Sequence, residues 1–98
     1  MSAVIRRGVA LLDFNAPWCG PCRSQEPILL ELSDCYRSRA TFATINIDDH
    51  RELAAQFQIR SIPTLIIFKD GRELERLVGL QGFDNVSAML DAALEMPV

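Results

Sequence analysis

Apolar residues follow two different rhythms along this chain. From Val9 to Phe14 they run almost unbroken, with Asp13 as the only interruption. A run of that kind predicts a strand, Val9–Asn15, covered on both faces rather than washed by water on one. From Cys19 to about Tyr36 the rhythm becomes helical. Ile28, Leu32 and Cys35, with Leu29 and Tyr36 beside them, form one apolar stripe. Pro21 falls in the first turn, where a missing N–H costs little. Pro27 falls inside, where it should kink the helix. Thr41–Ile47 reads as a second strand. Asp48 and Asp49 then begin a helix through about Phe57, with acid at its N-terminus as the dipole prefers. Ser61-Ile62-Pro63 breaks the chain before a third strand, Thr64–Lys69. Asp70-Gly71 is a two-residue hairpin signal, so Arg72–Val78 should return antiparallel as a fourth strand. Phe83, Val86, Leu90, Ala93 and Leu94 recur at helical spacing and predict a closing amphipathic helix.

The resulting order, β-α-β-α-β-β-α, predicts an α/β fold with a central mixed four-stranded sheet and helices on both faces. The first two strands, joined through a helix, should be parallel with a right-handed crossover. The chain has 98 residues, 49% of them hydrophobic, which suits one domain over residues 1–98 with a single packed core. A formal net charge of −3 argues against nucleic acid, whose phosphates want a basic surface. No apolar run approaches the ~20 residues of a membrane span. Arg6-Arg7 followed by Gly8–Leu12 has the outline of a secretion signal, but the apolar run is short and Asp13 interrupts it. A cytoplasmic monomer is therefore expected, and a periplasmic one if an export signal has been removed. Three cysteines cannot pair off completely, which fits a reducing compartment.

The chemistry concentrates in Trp18-Cys19-Gly20-Pro21-Cys22. Two cysteines three positions apart, after a strand and before a helix, read as a redox pair. Cys19 stands where the helix begins, and the free N–H groups of that first turn favour a thiolate. It is the expected nucleophile. Cys22, one turn further in, should be more buried and should resolve the mixed disulfide formed by Cys19. A tetrahedral metal site needs two more ligands. Only Cys35 and His50 are on offer and their spacing does not suit, so no metal is expected. Asp13, inside a buried strand that ends next to Cys19, should have a raised pKa and could shuttle the proton that Cys22 must lose. Pro63 precedes an apolar strand, where a cis bond would set a backbone edge beside the thiols. Cys35 shares the apolar stripe and reads as a buried structural thiol. It lies roughly 20 Å along the helix from Cys22, too far to bond with it. His50 reads as a solvated helix-start residue.

Together these residues resemble the thioredoxin family. The resemblance runs from about Val9 to Leu94. It rests on Asp13-Phe14, on Trp18 through Cys22, on Pro27, on Asn46-Ile47-Asp48, on Ile62-Pro63-Thr64 and on Val78-Gly79. It implies a thioredoxin-like three-layer fold and a protein-disulfide reductase recharged by a flavoprotein reductase such as thioredoxin reductase. The reversible Cys19–Cys22 disulfide would serve in place of any cofactor. It implies Cys19 as attacking thiol, Cys22 as resolving thiol, Asp13 as buried acid and Pro63 as cis proline. Trp18, Gly20, Pro21, Ile62 and Gly79 would line the substrate groove. Gly20-Pro21 between the cysteines points to a reductant. Two other readings stand beside this one: a glutaredoxin-like, glutathione-dependent reductant, and a thioredoxin-fold binding module with little turnover.

Three departures from the family pattern bear on tuning. Only Met1–Gly8 precede the central strand, where family members usually carry a further strand and helix. Thr41–Ile47 should then lie at the sheet edge, a site of association unless covered. Asn15 stands where many members have tryptophan. Thr44 stands where many have a lysine near the buried acid, and losing that cation should raise the pKa of Asp13 further.

Overall fold

The computed structural model describes residues 2–97, and side chains from Val4 onward. Its elements are α1 (Ser2–Ile5), β1 (Val9–Asn15), α2 (Gly20–Cys35), β2 (Ala40–Asn46), α3 (Arg51–Gln56), β3 (Thr64–Lys69), β4 (Arg72–Val78) and α4 (Phe83–Glu95). The four strands form one sheet in the order β2-β1-β3-β4. β1 runs parallel to β2 and antiparallel to β3, and β3 pairs antiparallel with β4. β2 thus lies at an edge, as expected for Thr41–Ile47. The segment before β1 folds as the single turn α1, whose Val4 and Ile5 pack on the core.

The unbroken apolar character of β1 and β3 follows from their central places. Side chains alternate across a strand, so a strand covered on both faces needs apolar residues at every step. Val9 and Leu11 pack with Leu29 and Leu32 of α2 and with Val86 and Leu90 of α4. Ala10, Leu12 and Phe14 pack on the opposite face with Ile66 and Phe68, under Leu53 and Phe57. The Phe57 ring closes that face, 5.6 Å from Phe14 and 5.8 Å from Phe68 between centroids. Asp70 (φ 51°) and Gly71 (φ 85°) make the left-handed pair that a tight hairpin requires. Asp70 also fixes the start of β1, its carboxylate accepting from the Gly8 N–H at 2.7 Å.

Three expectations need correction. The helix expected over Asp48–Phe57 spans only Arg51–Gln56. Asn46 is the reason: its side chain accepts from the Asp48 N–H and its carbonyl accepts from the N–H groups of Asp49 and His50, which holds a turn there instead. His50 is the residue before the helix and makes no side-chain cap. Second, the buried face of α2 is Cys22, Gln25, Leu29 and Leu32, continuing to Tyr36. Ile28 is only half-buried. Third, Cys35 is exposed, not buried. The spacing from Leu32 to Tyr36 sets the register, and Cys35 falls outside it.

Candidate active site

One end of the sheet gathers the residues singled out by sequence. β1 and β2 end there together at the paired Asn15 and Asn46. β3, running the other way, begins there at Thr64, opposite Phe14 on one side and Val78 on the other. The chain therefore delivers Trp18–Cys22 after β1, Asp48 after β2, Ile62-Pro63 before β3 and Gly79 after β4 to a single edge.

Cys19 is the N-cap of α2. Its backbone is extended (φ −90°, ψ 115°), and its sulfur accepts from the Cys22 N–H at 3.2 Å. Pro21 in the first turn leaves no extra donor unpaired. Cys19 and Cys22 are joined as a disulfide. Both cysteines are 6% exposed, so Cys22 is no more buried than Cys19 in this oxidised form. Their surroundings differ instead. Cys19 Sγ lies 3.8 Å from the Ile62 carbonyl oxygen. Cys22 lines an inner cleft that Asp13 also lines.

The Ile62–Pro63 bond is cis. The Pro63 carbonyl accepts from the Gly79 N–H at 2.8 Å, and Gly79 has φ +90°, a conformation that favours glycine. That bond ties the loop after β4 to the cis proline. Trp18 is 65% exposed beside Cys19, and its indole Nε1–H donates to Asp48 at 2.8 Å. Val78 and Leu80 are exposed as well and flank Gly79. Half-buried Ile62 packs against Cys19 and Cys22. Gly20 and Pro21 are exposed on the same end.

Asp13 is 5% exposed. Asn15 Nδ2 donates to one carboxylate oxygen at 3.0 Å, and the other, Oδ1, has no partner. Burial pushes the Asp13 pKa up; the Asn15 hydrogen bond opposes this in part, and the nearby Glu26 carboxylate adds to it. Thr44, directly across from Asp13 on β2, brings no charge to offset the desolvation.

Sequence reading missed four contributors. Asp48 orients Trp18, though only the Asn46-Ile47-Asp48 run marked it. Val78 and Leu80 look like ordinary strand and loop residues until the fold sets them, exposed, at the sheet end where the cysteines lie. Gln25 is fully buried and clamps the loop before α4 at both ends of its amide: Nε2 donates to the Gln81 carbonyl at 2.9 Å and Oε1 accepts from the Gln81 N–H at 2.7 Å. A polar residue on a helix face gives no warning of such a role.

A thioredoxin family model matches residues 2–92. The chain belongs to the thioredoxin family. It is 43% identical over 90 residues to a thioredoxin of Staphylococcus haemolyticus, across 92% of this chain and 86% of that protein. It is 41% identical over 90 residues, with the same coverage, to a thioredoxin of Staphylococcus aureus. The solved structure of a mutant thioredoxin from Halobacterium salinarum NRC-1 superposes with a TM-score of 0.89 at 35% identity, covering 99% of this chain and 85% of that one. Family and cysteine pair together define the activity as thiol–disulfide exchange with protein disulfides, through Cys19 and Cys22. Thioredoxins act on protein disulfides and are served by reductases, and no helix among the described residues is long and apolar enough to cross a membrane.

Proposed function

We propose that this protein is a monomeric cytoplasmic reductant of protein disulfides in which Cys19 attacks and Cys22 resolves. The observation that carries the assignment of roles is the N-cap geometry of Cys19. The Cys22 N–H points at the Cys19 sulfur, and a helix N-terminus favours negative charge there. In the dithiol form the Cys19 thiolate attacks one sulfur of a substrate disulfide. A Cys19–substrate disulfide forms, and the other substrate sulfur leaves as a thiolate. Cys22 then loses its proton and attacks Cys19 Sγ. The Cys19–Cys22 disulfide forms and the second substrate thiol departs. Two electrons have moved from the protein to the substrate, so the sulfur pair needs no separate cofactor.

Asp13 is the proposed acceptor of the Cys22 proton. Both residues line one cleft, and a raised pKa brings a carboxyl closer to the thiol it serves. Pro63 offers the backbone edge for an extended substrate, with Trp18, Gly20, Pro21, Ile62 and Gly79 around it. Val78 and Leu80 extend that surface. A flavoprotein thioredoxin reductase returns the two electrons. An exposed unpaired Cys35 favours the reducing cytoplasm, where free thiols persist.

The roles are tested by trapping. Cys22→Ser should accumulate a covalent adduct with a disulfide substrate such as insulin, and Cys19→Ser should accumulate almost none. The reverse pattern would exchange the two roles. Insulin reduction should be lost in both single variants.

A further inference from the structure

A cleft of about 520 Å³ opens between α2 and β2 on the sheet face that carries Asp13. That volume lies within the roughly 300–1,000 Å³ of small-molecule sites. Leu11, Leu29, Leu30 and Phe42 supply apolar wall, and Asp13 and Glu26 supply two carboxylates. Leu30 on the rim is 64% exposed. It is a leucine left without cover on its own helix.

A second observation is independent of the room. Asp13 is nine-tenths buried, and its Oδ1 has no hydrogen-bond partner. Buried acceptors are almost always paired. Asp13 lines the cleft, and the χ2 torsion of an aspartate is broad, so a tilt of the carboxylate brings Oδ1 toward a donor that enters there. The charges nearby select the kind of donor. α2 contributes Arg23 and Glu26, but the Arg23 guanidinium is held, donating from Nε and Nη2 to the Pro17 carbonyl at 3.2 and 3.0 Å. β2 contributes no charged residue, its polar ones being Thr44 and Asn46. Two carboxylates against one engaged guanidinium repel an anion and attract a cation.

We propose that this cleft binds a compact amphiphilic cation, a primary ammonium on a short apolar body. Its nitrogen donates to Asp13 Oδ1 and its hydrocarbon lies against Leu11, Leu29 and Phe42. An ammonium carries three donors and no acceptor, so it answers the orphan oxygen and leaves protons for water or Glu26 at the mouth. A neutral alcohol of the same shape keeps the apolar contacts but makes the weaker, uncharged hydrogen bond. The site exists in the disulfide form and does not require Asp13 to act as a base.

The test uses the oxidised full chain, labelled with nitrogen-15, titrated with benzylammonium and separately with benzyl alcohol. Benzylammonium should shift the amides of Asp13, Leu29, Leu30, Phe42 and Thr44, with a dissociation constant on the order of 1 mM. Benzyl alcohol should bind at least about fivefold more weakly, as expected for a lost charge-assisted bond. Asp13→Asn keeps the shape and should erase that preference. Thr44→Lys, across the register from Asp13, places an ammonium of the chain's own at the cleft and should abolish binding even if Asp13→Asn does not fold. Equal binding of alcohol and ammonium would overturn the proposal. So would shifts centred elsewhere, undiminished binding to Thr44→Lys, or no shift at about 10 mM, ten times the expected constant.

Discussion

Asp13 is held where its charged form is disfavoured. It lies in the middle of an apolar strand, with one carboxylate oxygen unpaired. Because its native pKa is raised, the folded chain holds a proton that the unfolded chain has already released, over the window from the ordinary carboxylate range up to the raised value. Stability from this group is therefore fully present below that window and is lost as pH rises through it. Asp13→Asn removes the ionisable group while keeping the shape. It should stabilise the protein at neutral pH by about 1–3 kcal/mol, because a neutral amide costs less to bury than a carboxylate. The gain should shrink toward zero as pH falls below about 4, where both states are protonated. Urea unfolding of the two proteins across pH checks this. The same substitution should slow insulin reduction at neutral pH on the order of 10²-fold if the carboxylate takes the Cys22 proton. A more stable protein with an unchanged rate would separate burial from catalysis.

At the scale of elements, α2 does two jobs with one face. Its N-terminus presents the sulfurs, and its buried side holds the sheet through Leu29 and Leu32. Gln25 joins the two by tying the helix to the loop at Gln81, next to Gly79 and the cis proline. Gln25→Leu fills similar volume with apolar atoms yet strands both backbone groups of Gln81. It should cost about 1–3 kcal/mol, measured by urea unfolding, and should speed hydrogen exchange at the Gln81 amide. A loosened Gly79–Gln81 loop should raise KM for protein disulfides more than it lowers kcat. The elements also show what a sequence discloses. β1, β3 and β4 have the bounds that their patterns predict, because two-faced burial and the Asp70-Gly71 turn leave strong local marks. The face of α2 is misread by one position, because its buried stripe passes through a glutamine and a proline-containing turn rather than through Ile28 and Cys35. The cysteine pair, Asp13 and Pro63 are legible as residues. The cleft beside them is not, since it is a void defined by what Asn15 and Thr44 fail to fill.

At the scale of the whole molecule, the sheet separates a rigid middle from a working end. β1 and β3 are buried along almost their whole length, while β2 and β4 are edges with many exposed or half-buried positions. Every residue of the proposed site lies at or just beyond the end where β1, β2 and β4 finish and β3 starts, apart from Asp13, which reaches back one pleat into the sheet. Fully buried residues such as Leu11, Leu12, Ile66 and Ile67 can open only when the fold opens, whereas loops and edges open locally. Hydrogen exchange should therefore be slowest in β1 and β3 and faster in β2. Reducing the Cys19–Cys22 disulfide should raise exchange around Cys19–Cys22, Ile62 and Gly79–Gln81 and leave the centres of β1 and β3 unchanged. That pattern is what a carrier needs, because it must present the same surface to successive partners while only one bond changes. Acceleration at Leu11 or Ile66 on reduction would show that the disulfide braces the core and that the middle of the sheet is not an independent frame for the chemistry.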